Sequence, residues 1–272
     1  MLFEFNDKKC GKDEILFALK ELGIKEGDTI CVHSSLLKIG KILKKPNELL
    51  EDIVKILCES VGIDLDDLEN PKGTILMPTF TFGFCDSFNT GEVAIYDKLN
   101  SKTHTGVLSE YFRKLNGVIR TDDPIFSFAL LGKEKEKYNF KIKTCLGKGS
   151  VLEKMLDNNV KIVFFGDSSV GYTFFHYVEE YMKIPYRYHK DFSGILIDEQ
   201  GKKHKCGARF FVRKLDQKSS VNTKKLQNTL LTKNAIKSIK FGGGDIAVTS
   251  CKECFKITKQ YLEKDPYYFI KF

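Results

Sequence analysis

Hydrophobic positions along the chain switch between a spacing of 3.6 and short unbroken runs, and that switching predicts βα units. Ile15, Leu19 and Leu22 follow a helical period behind Asp13, a capping residue type, and stop at Gly23. A β-branched run at 29–32 then reads as a strand that breaks into His33, Ser34 and Ser35. Pro46 opens a helix whose wide apolar stripe, from Leu49 to Val61, ends at Gly62. Further strands are predicted at 74–77, closed by Pro78, at 126–131 and at 160–165, and helices at 105–115 and 151–156, the latter with Ser150 and Glu153 as a capping box. After a turn at 166–171, residues 172–182 form another helix. Beyond Arg187 the pattern turns to extended pieces, 194–197 and 208–212, read as an antiparallel hairpin carried on the main sheet. A polar helix at 223–231 and a glycine turn at 242–244 follow, and Ser250 and Glu253 open a last helix that Pro266 terminates. The expected fold is α/β: a central mixed sheet flanked by helices, with a C-terminal antiparallel hairpin and final helix, in a single domain over residues 1–272.

One segment resists assignment. Phenylalanines at 80, 82, 84 and 88 interleave with Thr79, Thr81, Gly83 and Ser87, which fits either a strand or a glycine-containing aromatic wall of a ligand pocket.

Composition adds two constraints. At 42% hydrophobic and 29% charged, the 272 residues can bury a sizeable core, and no apolar run reaches the roughly 18 residues of a membrane span, so a cytoplasmic protein is expected. The eight cysteines are scattered and read mainly as small packing residues. Cys251 and Cys254 with His204 and Cys206 make only a weak zinc pattern, and no metal is expected. The net charge of +8 is concentrated: residues 201–240 hold twelve Lys and Arg against Asp216 alone, or +11, and the remainder carries −3. Such a segment either meets an anionic partner or is a solvated surface.

The candidate chemistry gathers after the strand at 160–165. His176 and Glu179 stand three apart on a predicted helix, so an imidazole and a carboxylate share one face beyond a strand's carboxyl end, where open α/β sheets place their ligands. A neutral imidazole takes a proton at physiological pH, and the carboxylate fixes its tautomer. Gly166-Asp167-Ser168 resembles the nucleophile segment of GDS-type esterases, but no histidine has an Asp three residues before it, and GxSxG fails at Val170. The Ser34-Ser35 break is either an ordinary polar turn or a seat for phosphate, and Gly106, in the first turn of its helix, is either a tight turn or an opening for a ligand.

Five stretches together resemble the aminoglycoside 3-N-acetyltransferase family: VHSSLLKIG (32–40), GTILMPTFTF (73–82), HTGVLSEYFRKLNGVIRTDDPIFSFALLGK (104–133), GKGSVLEKML (147–156) and GYTFFHYVEEYMKIPYR (171–187). They stand in family order and cover most of residues 10–190. The resemblance implies a fold unlike that of the GNAT acetyltransferases, with acetyl-CoA or a longer acyl-CoA as donor and direct attack on the thioester by a substrate amine. It implies His176 as the general base, supported by Glu179, and His33, Ser34, Ser35, Thr105, Gly106 and Val107 along the CoA. Phe82, Phe84 and Asp123 are the residues expected toward the acceptor and acyl group. Drug-modifying members read R-S-x-H-P where this chain has Arg120-Thr121-Asp122-Asp123-Pro124, so Asp123 replaces a histidine. With the +11 segment, that departure favours an anionic acceptor, a nucleotide-linked amino sugar for surface glycans, over a cationic aminoglycoside. A nucleic-acid-binding protein using residues 201–240 is the reading from another class, although only Phe210 and Phe211 supply aromatic interleaving there and no recognised binding fold accompanies them.

Overall fold

The computed structural model describes residues 1–271. Three apolar runs, Thr29–Ser34, Thr74–Pro78 and Lys161–Phe165, lie parallel at the centre of a seven-stranded sheet. The antiparallel strands Gly244–Ser250 and Ile236–Phe241 extend it on one side, and Phe128–Gly132 and Ile119–Arg120 on the other. Alternation along the central strands sorts their side chains into two cores. Ile30, Val32, Ile75, Met77, Val163 and Phe165 pack with the helices Lys12–Glu21 and Pro46–Val61. Cys31, Leu76, Ile162 and Phe164 face the opposite core, built with the helices Val151–Asp157, Thr173–Tyr181 and Cys251–Lys264.

The helix punctuation follows the sequence. Pro46 occupies the first turn of its helix, and Gly62 closes it in the left-handed region at φ 77°. Ser150 and Ser250 each accept an N–H three residues on, from Glu153 and Glu253, both at 3.3 Å. Asp13 is not the first cap: the helix starts at Lys12, Asp13 lies in its first turn, and Glu14 accepts the Gly11 N–H at 2.8 Å. Cys251 and Cys254 are buried packing residues on the final helix.

Two expectations need correction. The aromatic segment is not a strand: residues 79–82 are irregular, and Gly83–Thr90 is a helix closed by Gly91. From Gly83 on, the four-residue spacing of Phe84 and Phe88 outweighs the Phe/Thr alternation, which ends at Thr81. The hairpin is longer than expected and sits off the main sheet. Its strands, Arg187–Ile197 and Lys203–Arg213, join Ile95–Asp97 in a separate three-stranded sheet. Gly194 permits this: a Cβ there would lie 2.3 Å from the Ala94 carbonyl oxygen and 2.7 Å from the Phe84 ring. The antiparallel pair that does extend the main sheet is 236–250, turning at the glycines. Its outer strand escaped prediction because Lys237, Ser238 and Lys240 make it polar, as edge strands are. A third small sheet joins Phe3–Phe5, Lys8–Cys10 and Lys41–Ile42. Among the described residues no helix is long and apolar enough to cross a membrane.

Candidate active site

The carboxyl ends of the three parallel strands lie side by side, with His33 opposite Phe164 and Ser34 opposite Phe165. Three loops converge there. The loop after Lys161–Phe165 is pressed against the 33–35 segment at two glycines that no other residue could replace without strain. Gly166 (φ 106°) brings its α-carbon so close to Ser35 that a Cβ would lie 2.4 Å from the Ser35 carbonyl oxygen. Gly171 (φ 86°) lies close on the His33 side chain, where a Cβ would stand 2.9 Å from Cβ and Cγ. The His33 ring also stacks on Phe164 at 5.9 Å, and burial pushes its imidazole down to about 4, so it is neutral at pH 7. The third loop, 103–107, crosses the end of Thr74–Pro78: His104 donates its N–H to the Phe80 carbonyl at 2.8 Å, and the Thr105 hydroxyl donates to the Pro78 carbonyl. Gly106 (φ 103°) then starts the helix Val107–Phe112 with open space where a Cβ would stand, and Val107 is exposed.

The loop 166–171 is fixed from behind. Asp245 accepts the Ser168 N–H at 2.8 Å and the hydroxyls of Ser168 and Ser238, and Gln227 Nε2 donates to Ser168 Oγ at 2.5 Å. Ser168 is 1% exposed, and its hydroxyl faces a carboxylate and an amide rather than an imidazole, so the esterase resemblance describes a structural serine.

From Gly171 the chain enters the helix Thr173–Tyr181, which buries Phe174, Phe175, Tyr177 and Val178 and presents His176. His176 Nδ1 lies 2.5 Å from Glu179 Oε2. Glu179 is fully buried and has two further partners on the first strand of the hairpin and its approach. Tyr186 donates its hydroxyl to Oε1 at 2.8 Å, and Arg187 Nε stands 3.0 Å from Oε2, off the N–H direction, so it pairs by charge rather than by hydrogen bond. Burial alone would push the Glu179 carboxyl up, but His176, Arg187 and the Tyr186 hydrogen bond together hold it below the usual range. An ionised Glu179 accepts the Nδ1–H. The Arg187 Nη2 donor, 3.1 Å from Nδ1, then makes contact without a hydrogen bond, and Nε2 is left as the basic nitrogen of a ring that is 28% exposed.

Sequence reasoning paired His176 with Glu179 and missed Tyr186 and Arg187. The tyrosine and arginine lie inside the quoted 171–187 stretch, but a contact between a helix and the next strand has no fixed spacing to betray it. Arg120 was likewise missed as a fastener: buried over the Tyr96 ring at 5.0 Å, it donates to the carbonyls of Thr79 and Ser101, each at 2.6 Å, and so holds the 79–82 segment to the loop before 103. Of the residues expected near the acceptor, Phe84 is 2% exposed and packs in the core. Phe82 stays at the surface, its ring 5.9 Å from that of His104. Asp123 is buried, with Oδ1 accepting the N–H groups of Ile125 and Phe126, both at 2.9 Å, and it also borders a cavity of about 460 Å³ shared with Lys98, Asp122 and Arg209. No cluster of three or more metal-ligating side chains occurs among the described residues.

Comparison with known proteins matches this architecture. A curated relative, the SPbeta prophage-derived aminoglycoside N(3')-acetyltransferase-like protein YokD of Bacillus subtilis (strain 168), is 27% identical over 194 residues, which span 65% of this chain and 66% of that protein's length. Two solved structures share the fold at 19% identity and TM-scores of 0.76: AAC-IIIb in a binary complex with CoASH (94% of this chain, 97% of the other) and AAC-VIa bound to sisomicin (94% and 98%). The model of the aminoglycoside 3-N-acetyltransferase family matches residues 31–263. The chain therefore belongs to the aminoglycoside 3-N-acetyltransferase family.

Proposed function

We propose that this protein moves an acetyl group from acetyl-CoA to an amine of an aminoglycoside-type amino sugar, with His176 as general base. The observation that carries the reading is the locked imidazole: His176 Nδ1 lies 2.5 Å from the buried Glu179 carboxylate, which leaves Nε2 as the free base on the helix that follows the loop after Lys161–Phe165. A primary amine is mostly protonated at neutral pH and attacks only as the free base. In the step, the amine nitrogen bonds to the thioester carbonyl carbon while the C–S bond breaks, the amine proton passes to His176 Nε2, and that proton then leaves with the thiolate as CoASH. We assign the donor to the rim formed by His33, Ser34, Ser35, Thr105, Gly106 and Val107. CoASH in the AAC-IIIb structure supports that donor, and the sisomicin bound to AAC-VIa, with the likeness to the aminoglycoside N(3')-acetyltransferase-like YokD, supports the acceptor.

The nucleotide-linked amino sugar favoured by segment charge loses its main support in the fold. Eight of the twelve basic residues of 201–240 are divided among the strand Lys203–Arg213, the helix Thr223–Thr232 and the edge strand Ile236–Phe241, and the other four lie outside these elements, so they do not form one segment.

The test is thiol release from acetyl-CoA with sisomicin and with a nucleotide-linked amino sugar in parallel. Turnover with sisomicin that falls about 10²- to 10⁴-fold in His176→Ala, with CoA still raising the melting temperature of the variant, is the expected result. Turnover with the nucleotide sugar alone would reverse the acceptor, and full activity in the variant would remove His176 as base.

A further inference from the structure

Arg187 is placed for its charge rather than for its own hydrogen bonds. Its side chain is 7% exposed and touches three groups at once. Nη1 donates to the Phe211 carbonyl at 3.1 Å, Nη2 points an N–H at His176 Nδ1 from 3.1 Å, and Nε lies 3.0 Å from Glu179 Oε2. Only the first is a hydrogen bond once Nδ1 carries its proton. Nε is sealed from solvent without a hydrogen-bond partner, and at Nδ1 the Arg187 N–H opposes the hydrogen that Glu179 accepts. Buried donors are rarely left in this condition. The hairpin nevertheless fixes the guanidinium there: Arg187 stands in register with Arg213, and the Tyr186 carbonyl accepts the Lys214 N–H at 2.9 Å.

The arrangement answers a problem that the dyad alone creates. A buried carboxylate 2.5 Å from Nδ1 orients the imidazole, but its charge also stabilises the imidazolium. His176 has to part with the amine proton again, to the leaving thiolate, within one turnover. A base that binds the proton too firmly serves as poorly as one that binds it too weakly. A guanidinium against the same carboxylate oxygen offsets that charge and, beside Nδ1, opposes a second positive charge on the ring. The other ionisable groups nearby are engaged elsewhere. On the same helix Glu180 is bonded to His189 at 3.1 Å and reaches Arg187 only through space. Tyr186 donates to Glu179 Oε1, and Arg213 donates to Ser220 Oγ at 2.7 Å. On the two helices packed alongside, Glu153 and Asp157 face Tyr177, and Lys259 faces Tyr181.

We propose that Arg187 is a positioning residue for the proton transfer: its guanidinium offsets the charge of Glu179, so that the carboxylate fixes the tautomer of His176 without trapping the proton on Nε2. The inference rests on the N-acetyltransferase reading above and gives the dyad its third member.

The test follows two quantities against pH: the His176 ring by NMR, its signals assigned through His176→Ala, and kcat/KM for sisomicin. It compares wild type with Arg187→Met, Arg187→Lys, Glu179→Gln and the double variant Glu179→Gln with Arg187→Met. In Arg187→Met the ring titrates about one pH unit or more above wild type, because the cation in contact with it is gone. Arg187→Lys, which keeps the charge but not the planar fork, reverses most of that shift. The double variant lies between the two single ones. The ratio of wild-type to Arg187→Met kcat/KM, in which the ionisation of sisomicin itself cancels, widens to about tenfold in acid and narrows with rising pH. A ratio equal at every pH marks a merely structural loss and overturns the proposal, as does a ring titration unmoved or lowered in Arg187→Met. If Arg187→Met does not fold, the double variant is compared with Glu179→Gln: a higher titration in the double variant sustains the proposal, and an equal or lower one overturns it. If no amine is turned over, the N-acetyltransferase reading fails by itself, and the ring titration alone decides on Arg187.

Discussion

Replacing Glu179 by glutamine removes one charge from a network with nowhere else to go. The carboxylate is fully buried and pairs with His176 Nδ1 at 2.5 Å, the Tyr186 hydroxyl at 2.8 Å and Arg187 Nε at 3.0 Å. Glutamine keeps an acceptor for Tyr186 but leaves the Arg187 guanidinium, itself almost wholly buried, without the carboxylate it pairs with. Breaking a buried pair by removing one partner costs about 3–5 kcal/mol, and the retained hydrogen bond places Glu179→Gln near about 3 kcal/mol. For a chain of this size that lowers the melting temperature by roughly 5–10 °C. Removing both charges, in Glu179→Gln with Arg187→Met, should cost less than Glu179→Gln alone, because no orphaned charge remains. The pH dependence has a definite sign. A carboxyl held below its usual range stabilises the fold fully above its unfolded value, about 4.3, and that contribution is lost as pH falls through the folded value. Urea unfolding should therefore show the gap between wild type and Glu179→Gln at pH 7 closing as the solution is taken below about pH 4. A cost under about 1 kcal/mol at pH 7, a double variant worse than the sum of the singles, or a gap that widens in acid would refute the argument.

The other expectations concern the frame around that network. The His33 ring, pushed down to about 4 by burial, should titrate by NMR near that value and not near 6.5; stability gained from keeping it neutral is present above about pH 6.5 and lost toward pH 4, so His33→Gln should flatten the stability profile between them. Gly171→Ala should destabilise by about 1–3 kcal/mol in urea, and by more than Gly106→Ala, because both have positive φ but only position 171 meets a ring. Five of the eight cysteines are buried, so a thiol reagent should modify at most Cys10, Cys85 and Cys206 in the native protein and all eight after unfolding.

What the sequence disclosed and what it concealed divide along the range of the interactions. The central strands were legible because Val, Ile, Leu and Phe runs between turn residues mean strands buried on both faces. His176 and Glu179 were legible because helical spacing is local. Tyr186 and Arg187 complete the same site across a helix–strand contact, and the edge strand Ile236–Phe241 looks polar because half of it faces water. Charge misled for a related reason. A sum over residues 201–240 assumes that neighbours in sequence share a surface, and the fold spreads them over a hairpin strand, a helix and a sheet edge. An acceptor is selected at short range by groups that have lost their water, since exposed lysines farther than about 10 Å are screened.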